Sequence, residues 1–176
     1  MELDAFLNFT VAELLKSNGY KKHPFRLCTF ASLDEYPSIR TVVKRKTIDK
    51  EENLFYTDIR SAKVKQLRKN PHCTLHFYHP KKRLQVIIQA RAQILTEGAL
   101  FEHHKQIALL NPQDYSTALA PGSKVDQKSF EIGDEENFCL IKCVSESIEI
   151  LMLDRPQHLR AKFERADDWK GSWLVP

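Results

Sequence analysis

The most regular pattern in the chain is the alternation over Leu84–Leu95. Leu84, Val86, Ile88, Ala90, Ala92 and Ile94 fall on one face, and Gln85, Ile87, Gln89, Arg91 and Gln93 on the other. A period of two over that length predicts a half-buried strand of about 40 Å, which usually curves around a barrel or carries a bulge. Shorter β-favouring runs predict strands at 27–32, 38–46, 53–57 and 73–79, with turns at 34–37 and 80–82. Two further apolar runs, 138–144 and 147–153, predict two closing strands. The period becomes helical at 2–18, through Phe6, Phe9, Val11, Leu14 and Leu15. It does so again at 61–70, through Val64 and Leu67 with Ser61 or Asp58 as cap, and at 97–110, through Leu100, Phe101, His104, Ile107, Ala108 and Leu110. Asn111-Pro112 predicts a fresh helical turn, and Trp169 and Trp173 predict a tail that docks on the body. Strands never alternate with crossover helices. The pattern therefore predicts a mostly antiparallel barrel with peripheral helices, one domain over 1–176.

Composition narrows the chemistry. The five glycines are isolated, so neither a dinucleotide fingerprint nor a P-loop can be written, and no GxSxG or HExxH occurs. No apolar run approaches a membrane span, and the opening residues lack the basic and apolar regions of an export signal, so the expected setting is the cytoplasm. Cys28, Cys73, Cys139 and Cys143 form no CxxC pair and are expected to be buried free thiols. Among His72, Cys73, His76 and His79, strand parity sends His76 and His79 to opposite faces, and no metal site is expected. In the helix at 97–110, His104 is expected to pack and His103 to face a pocket.

Charge is concentrated. The chain carries a net +4, yet residues 40–69 hold ten basic side chains against four acidic ones. Arg40, Thr41, Arg45, Ser61 and Lys63 place guanidinium, ammonium and hydroxyl donors around a hairpin and a helix start. A phosphate dianion wants that set, and a nucleic-acid backbone would also accept it. Parity is the difficulty: in an unbroken strand Arg40 and Arg45 face opposite ways. A bulge, or a ligand held where two subunits meet, would reconcile them.

Arg40 to Arg45 (RTVVKR), Phe55 to Lys63 (FYTDIRSAK), Gln66 to Pro71 (QLRKNP) and Leu84 to Ala90 (LQVIIQA) together resemble the pyridoxamine 5'-phosphate oxidase family. The likeness returns near the C-terminus in IEIL, HLRAKF and WLVP. It implies a six-stranded antiparallel Greek-key split barrel with peripheral helices. It also implies a homodimer holding FMN at its interface, acting on a small-molecule substrate with no membrane or nucleic-acid partner. Carried over, the flavin-binding positions are Arg40, Thr41, Val42 and Arg45, Tyr56 and Thr57, Arg60, Ser61 and Lys63, Gln85, Ser123 and Lys162. Ala62 stands where the family has Arg, with Arg60 as the replacement charge, and Leu151 stands where a Trp covers the flavin. The Tyr and Arg that hold the substrate phosphate in the oxidases fall near His103 and Ile107, and the closing RxHDR motif reads His158-Leu159-Arg160-Ala161-Lys162. The resemblance thus implies an FMN-dependent oxidoreductase of unassigned substrate and catalytic residues. The alternatives are a flavin-binding protein without turnover and a basic barrel that binds nucleic acid; the modest net charge and the flavin pattern weigh against the latter.

Overall fold

The structure, a computed structural model, describes every residue except 112, 113, 127, 129, 130, 134 and 135; the turn expected at Pro112 lies outside the described residues. Helix α1 spans Leu3–Gly19 and leads through a short 3-10 turn into strands β1 (Leu27–Leu33), β2 (Pro37–Ile48) and β3 (Glu52–Asp58). Helix α2 (Ala62–Lys69) connects to β4 (His72–His79) and β5 (Leu84–Leu95). Helix α3 (Ala99–Ala108) precedes β6 (Phe138–Met152), β7 (Leu159–Glu164) and β8 (Gly171–Leu174). All pairings are antiparallel, in the order β3-β2-β1-β4-β5-β6-β7-β8, and β3 also pairs with β6. That last pairing closes a six-stranded barrel from β3 to β6, as the family resemblance implies. The first half of β6 (Phe138 to Val144) faces β3 and the second half (Ser147 to Met152) faces β7, so one strand serves both barrel and extension.

Alternation decides what fills the barrel. Phe30, Phe55, Leu75, Phe77, Val86, Ile88, Ile141, Ile148 and Ile150 point inward and are buried. A second apolar cluster forms outside the barrel, where α3 lays Phe101 and Ala108 against Leu54, Phe138 and Leu140. The inward face expected for β5 is the buried one.

Three expectations change. The strands expected at 138–144 and 147–153 are one, β6. Gln89 pairs with Ser147 and Ala90 with Ser145, so Glu146 is the extra residue of a bulge. A charged residue turned to solvent reads as a break in sequence, but β5 is long enough to pair on both sides of it. In α1, Leu15 is 40% exposed, and the face on the barrel instead carries Thr10, Glu13 and Ser17 between Phe6, Leu7, Val11 and Leu14. Thr10 Oγ1 and Ser17 Oγ donate to the carbonyls of Phe6 and Leu14, which removes the cost of burying them. Ser61 stands at the N-cap of α2 without a side-chain cap bond, and Asp58 accepts instead from the Arg60 N–H. The tail docks as expected: Trp169 Nε1 donates to Glu51 at 2.8 Å, and Trp173 stacks on Phe6. Its two strands are short and carry little alternation.

Candidate functional site

The β1–β2 pairing sets Ser32 opposite Ser38 and Phe30 opposite Arg40, so Arg40 leaves the inner face of the sheet toward α2. Its NH1 donates to Ser32 Oγ at 2.6 Å and its NH2 to Gln66 Oε1 at 3.0 Å. Ser32 Oγ donates to the same Gln66 oxygen at 2.6 Å, and Gln66 Nε2 donates to Ser38 Oγ at 3.1 Å. Lys63 lies one turn before Gln66 on the same helix face. Its ammonium donates to Thr57 Oγ1 at 2.6 Å, and Thr57 Oγ1 lies 3.4 Å from Ser61 Oγ. The N–H groups of Val64 and Lys65 close on the Ser61 carbonyl, leaving those of Ala62 and Lys63 among the unclosed donors of the helix start. Burial, and then the charge of Arg40, pulls the Lys63 ammonium below its usual range; burial lowers Arg40 as well. Among the described residues neither cation is paired with a carboxylate; every partner named above is a neutral oxygen.

The other candidates sit elsewhere. Arg60 grips Asp58 through its Nε at 3.1 Å and its NH2 at 2.7 Å, and reaches the carbonyls of Thr117 and Ala118. It thereby fastens the loop that carries exposed Ser123. β2 does carry a bulge, with Lys44 opposite Phe55 and Lys46 opposite Leu54, so Arg45 is the extra residue. The bulge does not bring Arg45 to Arg40. It sends the guanidinium over the Tyr56 ring at 4.9 Å and to Tyr115 Oη at 3.4 Å, on the outer face under α3. Tyr56 Oη is held at 2.6 Å by Nδ1 of His104, which packs as expected. Thr41 is also on the outer face, while Val42 packs inward on the core. Gln85 lies on the outer face, 3.3 Å from His76 Nε2. On β7, Lys162 is paired with Glu164 at 2.5 Å, and Arg160 donates from Nε and NH2 to one oxygen of Glu149 at 2.9 and 2.7 Å. One chain thus gathers Arg40, Thr57, Ser61 and Lys63 on one side of the sheet. Thr41, Arg45, Tyr56 and Gln85 lie on the other side.

A cleft of about 410 Å³ opens beside Ser32, between Leu33, Pro37, His72, Gln89 and Glu146, but neither Arg40 nor Lys63 lines it. Glu13, His23 and His79 bring one oxygen and two ring nitrogens within 4.8 Å of one another. Their chemistry does not suit a cation. The Nδ1 atoms of His23 and His79 accept from the backbone N–H of Phe25 and Lys82. Both Nε2 atoms therefore carry hydrogen toward Glu13 and have no lone pair for a metal. Lys16 and Lys82 already neutralise the carboxylate at 2.6 and 3.4 Å. The four cysteines are free and buried, as expected. Burial pushes the Cys139 thiol up to about 12, and Cys73 and Cys143 touch at 3.8 Å between sulfurs.

The family model described as pyridoxamine 5'-phosphate oxidase, FMN-binding domain, matches residues 7–96, half of the chain. The chain belongs to this family. FMN is the cofactor that this pyridoxamine 5'-phosphate oxidase FMN-binding family carries. A pyridoxine/pyridoxamine 5'-phosphate oxidase from Legionella pneumophila (strain Lens) is 38% identical over 65 residues, covering 36% of this chain and 30% of that protein. The match thus spans under a third of the curated relative. Two solved structures share the fold over nearly the whole chain. A pyridoxamine 5'-phosphate oxidase-related, FMN-binding protein from Nostoc punctiforme aligns with a TM-score of 0.69 at 20% identity, over 96% of each chain. PhzG from Burkholderia lata, in complex with tetrahydrophenazine-1-carboxylic acid, aligns with a TM-score of 0.75 at 16% identity, over 99% of this chain and 93% of that one.

Sequence reasoning missed Gln66, Ser32 and Ser38. Gln66 stands three residues after Lys63 on a helix, so helical spacing alone could have placed it beside the lysine. Ser32 and Ser38 depend on the hairpin register, which the turn did not specify.

Proposed function

We propose that this family member grips the FMN phosphate with Arg40 and Lys63, and that residues 1–176 act as one flavin-binding unit. The observation that carries this reading is the uncompensated charge beside the start of α2. Among the described residues, two partly buried cations are held only by neutral oxygens, next to unclosed helix N–H groups. Burying like charges side by side is costly unless an anion completes the site. Phosphate, with close to two negative charges and several acceptor oxygens, fits that donor set. Asp58, whose field reaches Lys63, is already taken by Arg60. Thr57 holds the Lys63 ammonium in place, and Ser61 lies beside it as a further hydroxyl donor.

The finer reading is an FMN-dependent oxidoreductase acting on a small molecule, working as a homodimer. When bound, the flavin supplies hydride acceptance and donation; the chain supplies grip, orientation and exclusion of water. Gln85 and Thr41 lie on the sheet face opposite Arg40 and Lys63, which supports a site completed across a subunit interface. Arg160 and Lys162 are each neutralised by a carboxylate. That supports a substrate not anchored through a phosphate at this motif.

The test is a pair of titrations on wild type and Lys63→Ala, following flavin fluorescence. A charge-assisted hydrogen bond contributes roughly 1.5–3 kcal/mol, so FMN affinity should fall about 10- to 150-fold, while riboflavin, lacking the phosphate, should bind as before. Equal losses for both flavins would move Lys63 to the ring site or the fold, and no loss for either would leave it a surface lysine.

A further inference from the structure

We infer that Gln66 is the positioning residue of the phosphate grip. It aims the Arg40 guanidinium while leaving its charge whole, and so makes the site selective for the phosphorylated flavin. The inference rests on the phosphate reading above and adds to it a residue that acts through Arg40.

The geometry fixes every hydrogen in the group. Arg40 can only donate, which decides that the Gln66 amide turns Oε1 toward it and leaves Nε2 to donate to Ser38 Oγ. Gln66 Oε1 then accepts twice, from Arg40 NH2 at 3.0 Å and from Ser32 Oγ at 2.6 Å. Because Ser32 spends its only hydrogen on Gln66, its lone pairs face Arg40 NH1, also at 2.6 Å. Gln66 and Ser32 are both over nine-tenths buried, and their two oxygens form a receptacle for one edge of the guanidinium. A guanidinium has five N–H donors in a rigid plane. Two are used here, so the plane is fixed, and among the described residues the remaining donors meet no acceptor and can turn to an anion.

The charge of the partner matters as much as its shape. A carboxylate at this position would hold the same edge of Arg40 more strongly. It would also neutralise the cation, as Glu149 does for Arg160 and Asp58 for Arg60 in this same chain. An amide has the shape of a carboxylate without its charge. Arg40 is thereby aimed as a carboxylate would aim it, yet keeps the positive charge that a phosphate dianion requires. Lys63, one helical turn away, feels that charge, which lowers its ammonium along with burial.

The deciding variant is Gln66→Glu, which preserves shape and can still accept from Arg40 and Ser32. FMN affinity should fall about 10- to 100-fold at pH 7.5 with riboflavin affinity unchanged. A purely structural role would change both flavins together. Gln66→Met, neutral and of similar length, removes the acceptor without adding charge. It should weaken FMN several-fold, less than Gln66→Glu does, and it serves if the glutamate variant does not fold. Wild-type FMN affinity in Gln66→Glu, or equal losses for FMN and riboflavin, would overturn the inference. The phosphate reading fails separately, if wild type itself does not prefer FMN to riboflavin.

Discussion

Lys44 shows how a single residue can be misplaced by a charge run. In sequence it belongs to the basic stretch from Arg40 onward. In the structure it turns inward and is 1% exposed, donating to Thr47 Oγ1 at 2.6 Å and to Asn18 Oδ1 and the Leu14 carbonyl at 3.1 Å. Three acceptors match the three N–H bonds of an ammonium and tie the end of α1 to β2. Replacing Lys44 with Met would remove three buried hydrogen bonds, each worth about 0.5–1.5 kcal/mol, although Asn18 Oδ1 still accepts from the Thr47 N–H and the Leu14 carbonyl from Ser17 Oγ. Urea unfolding should therefore show a loss of about 2 kcal/mol. Burial pulls the ammonium down to about 7. The unfolded chain holds this proton more tightly, so the contribution of Lys44 to stability rises with pH between about 7 and 10.5, and Lys44→Met should abolish that rise. The same scale explains what of the site was legible. Arg40, Ser61 and Lys63 carry charge or sit at a helix start, so residue type announces them. Gln66 and Ser32 act through geometry alone.

At the scale of elements, α1 is held to the barrel partly by chemistry that acid undoes. Burial raises the Glu13 carboxyl, but the Lys16 hydrogen bond, the Lys82 charge and the His23 contact outweigh it and hold it below its usual value. His79, across the cluster, is lowered by burial first and then by His23. His104 under α3 is lowered by burial and by His103. Each histidine is kept neutral by the fold, so below pH 6.5 the unfolded chain binds more protons and stability falls as pH drops. Glu13 adds a second loss below about pH 4.5 by the same logic. Denaturant midpoints at pH 7.5, 6.5, 5.5 and 4.5 should decline in that order, and His79→Gln should flatten part of the step between 6.5 and 5.5. A different element is pinned by shape: a methyl group on Gly171 would run into the buried ring of Phe163, its partner across β7 and β8. Gly171→Ala should lower stability by about 1–3 kcal/mol, as overpacked cores do, and free the Trp173 stack on Phe6, visible as a change in tryptophan emission. Long periodic elements such as β5 were legible because each residue repeats the same signal. β7 and β8 are too short to repeat one, and Glu146 hid the continuity of β6.

For the whole molecule, the outer face of β1, β2 and β4 carries Leu27, Leu33, Ile39 and Tyr78, all substantially exposed, beside Gln85. Exposed apolar side chains at both ends of a face that also holds a candidate flavin residue fit the proposed dimer. Sedimentation should find a dimer, and Ile39→Glu should shift it toward monomer and weaken FMN binding in parallel. A monomer that binds FMN fully would remove the shared-site proposal. The barrel class was legible because antiparallel neighbours with short turns leave few other closures. Which strands close it was not, since the β3–β6 pairing joins Glu52 to Val144 with most of the chain between them. That pairing bears on how the protein is made. The region matched by the family, residues 7–96, contains five of the six barrel strands and ends before the sixth. As the chain emerges from the ribosome, β3 and β5 are both raw hydrogen-bonding edges until β6 follows, and such edges are where nascent chains stick to one another. Closure must therefore wait for β6, residues 138–152. Messages truncated before residue 138 should yield aggregates that chaperones must clear, even though every cationic residue of the proposed phosphate grip has already been translated.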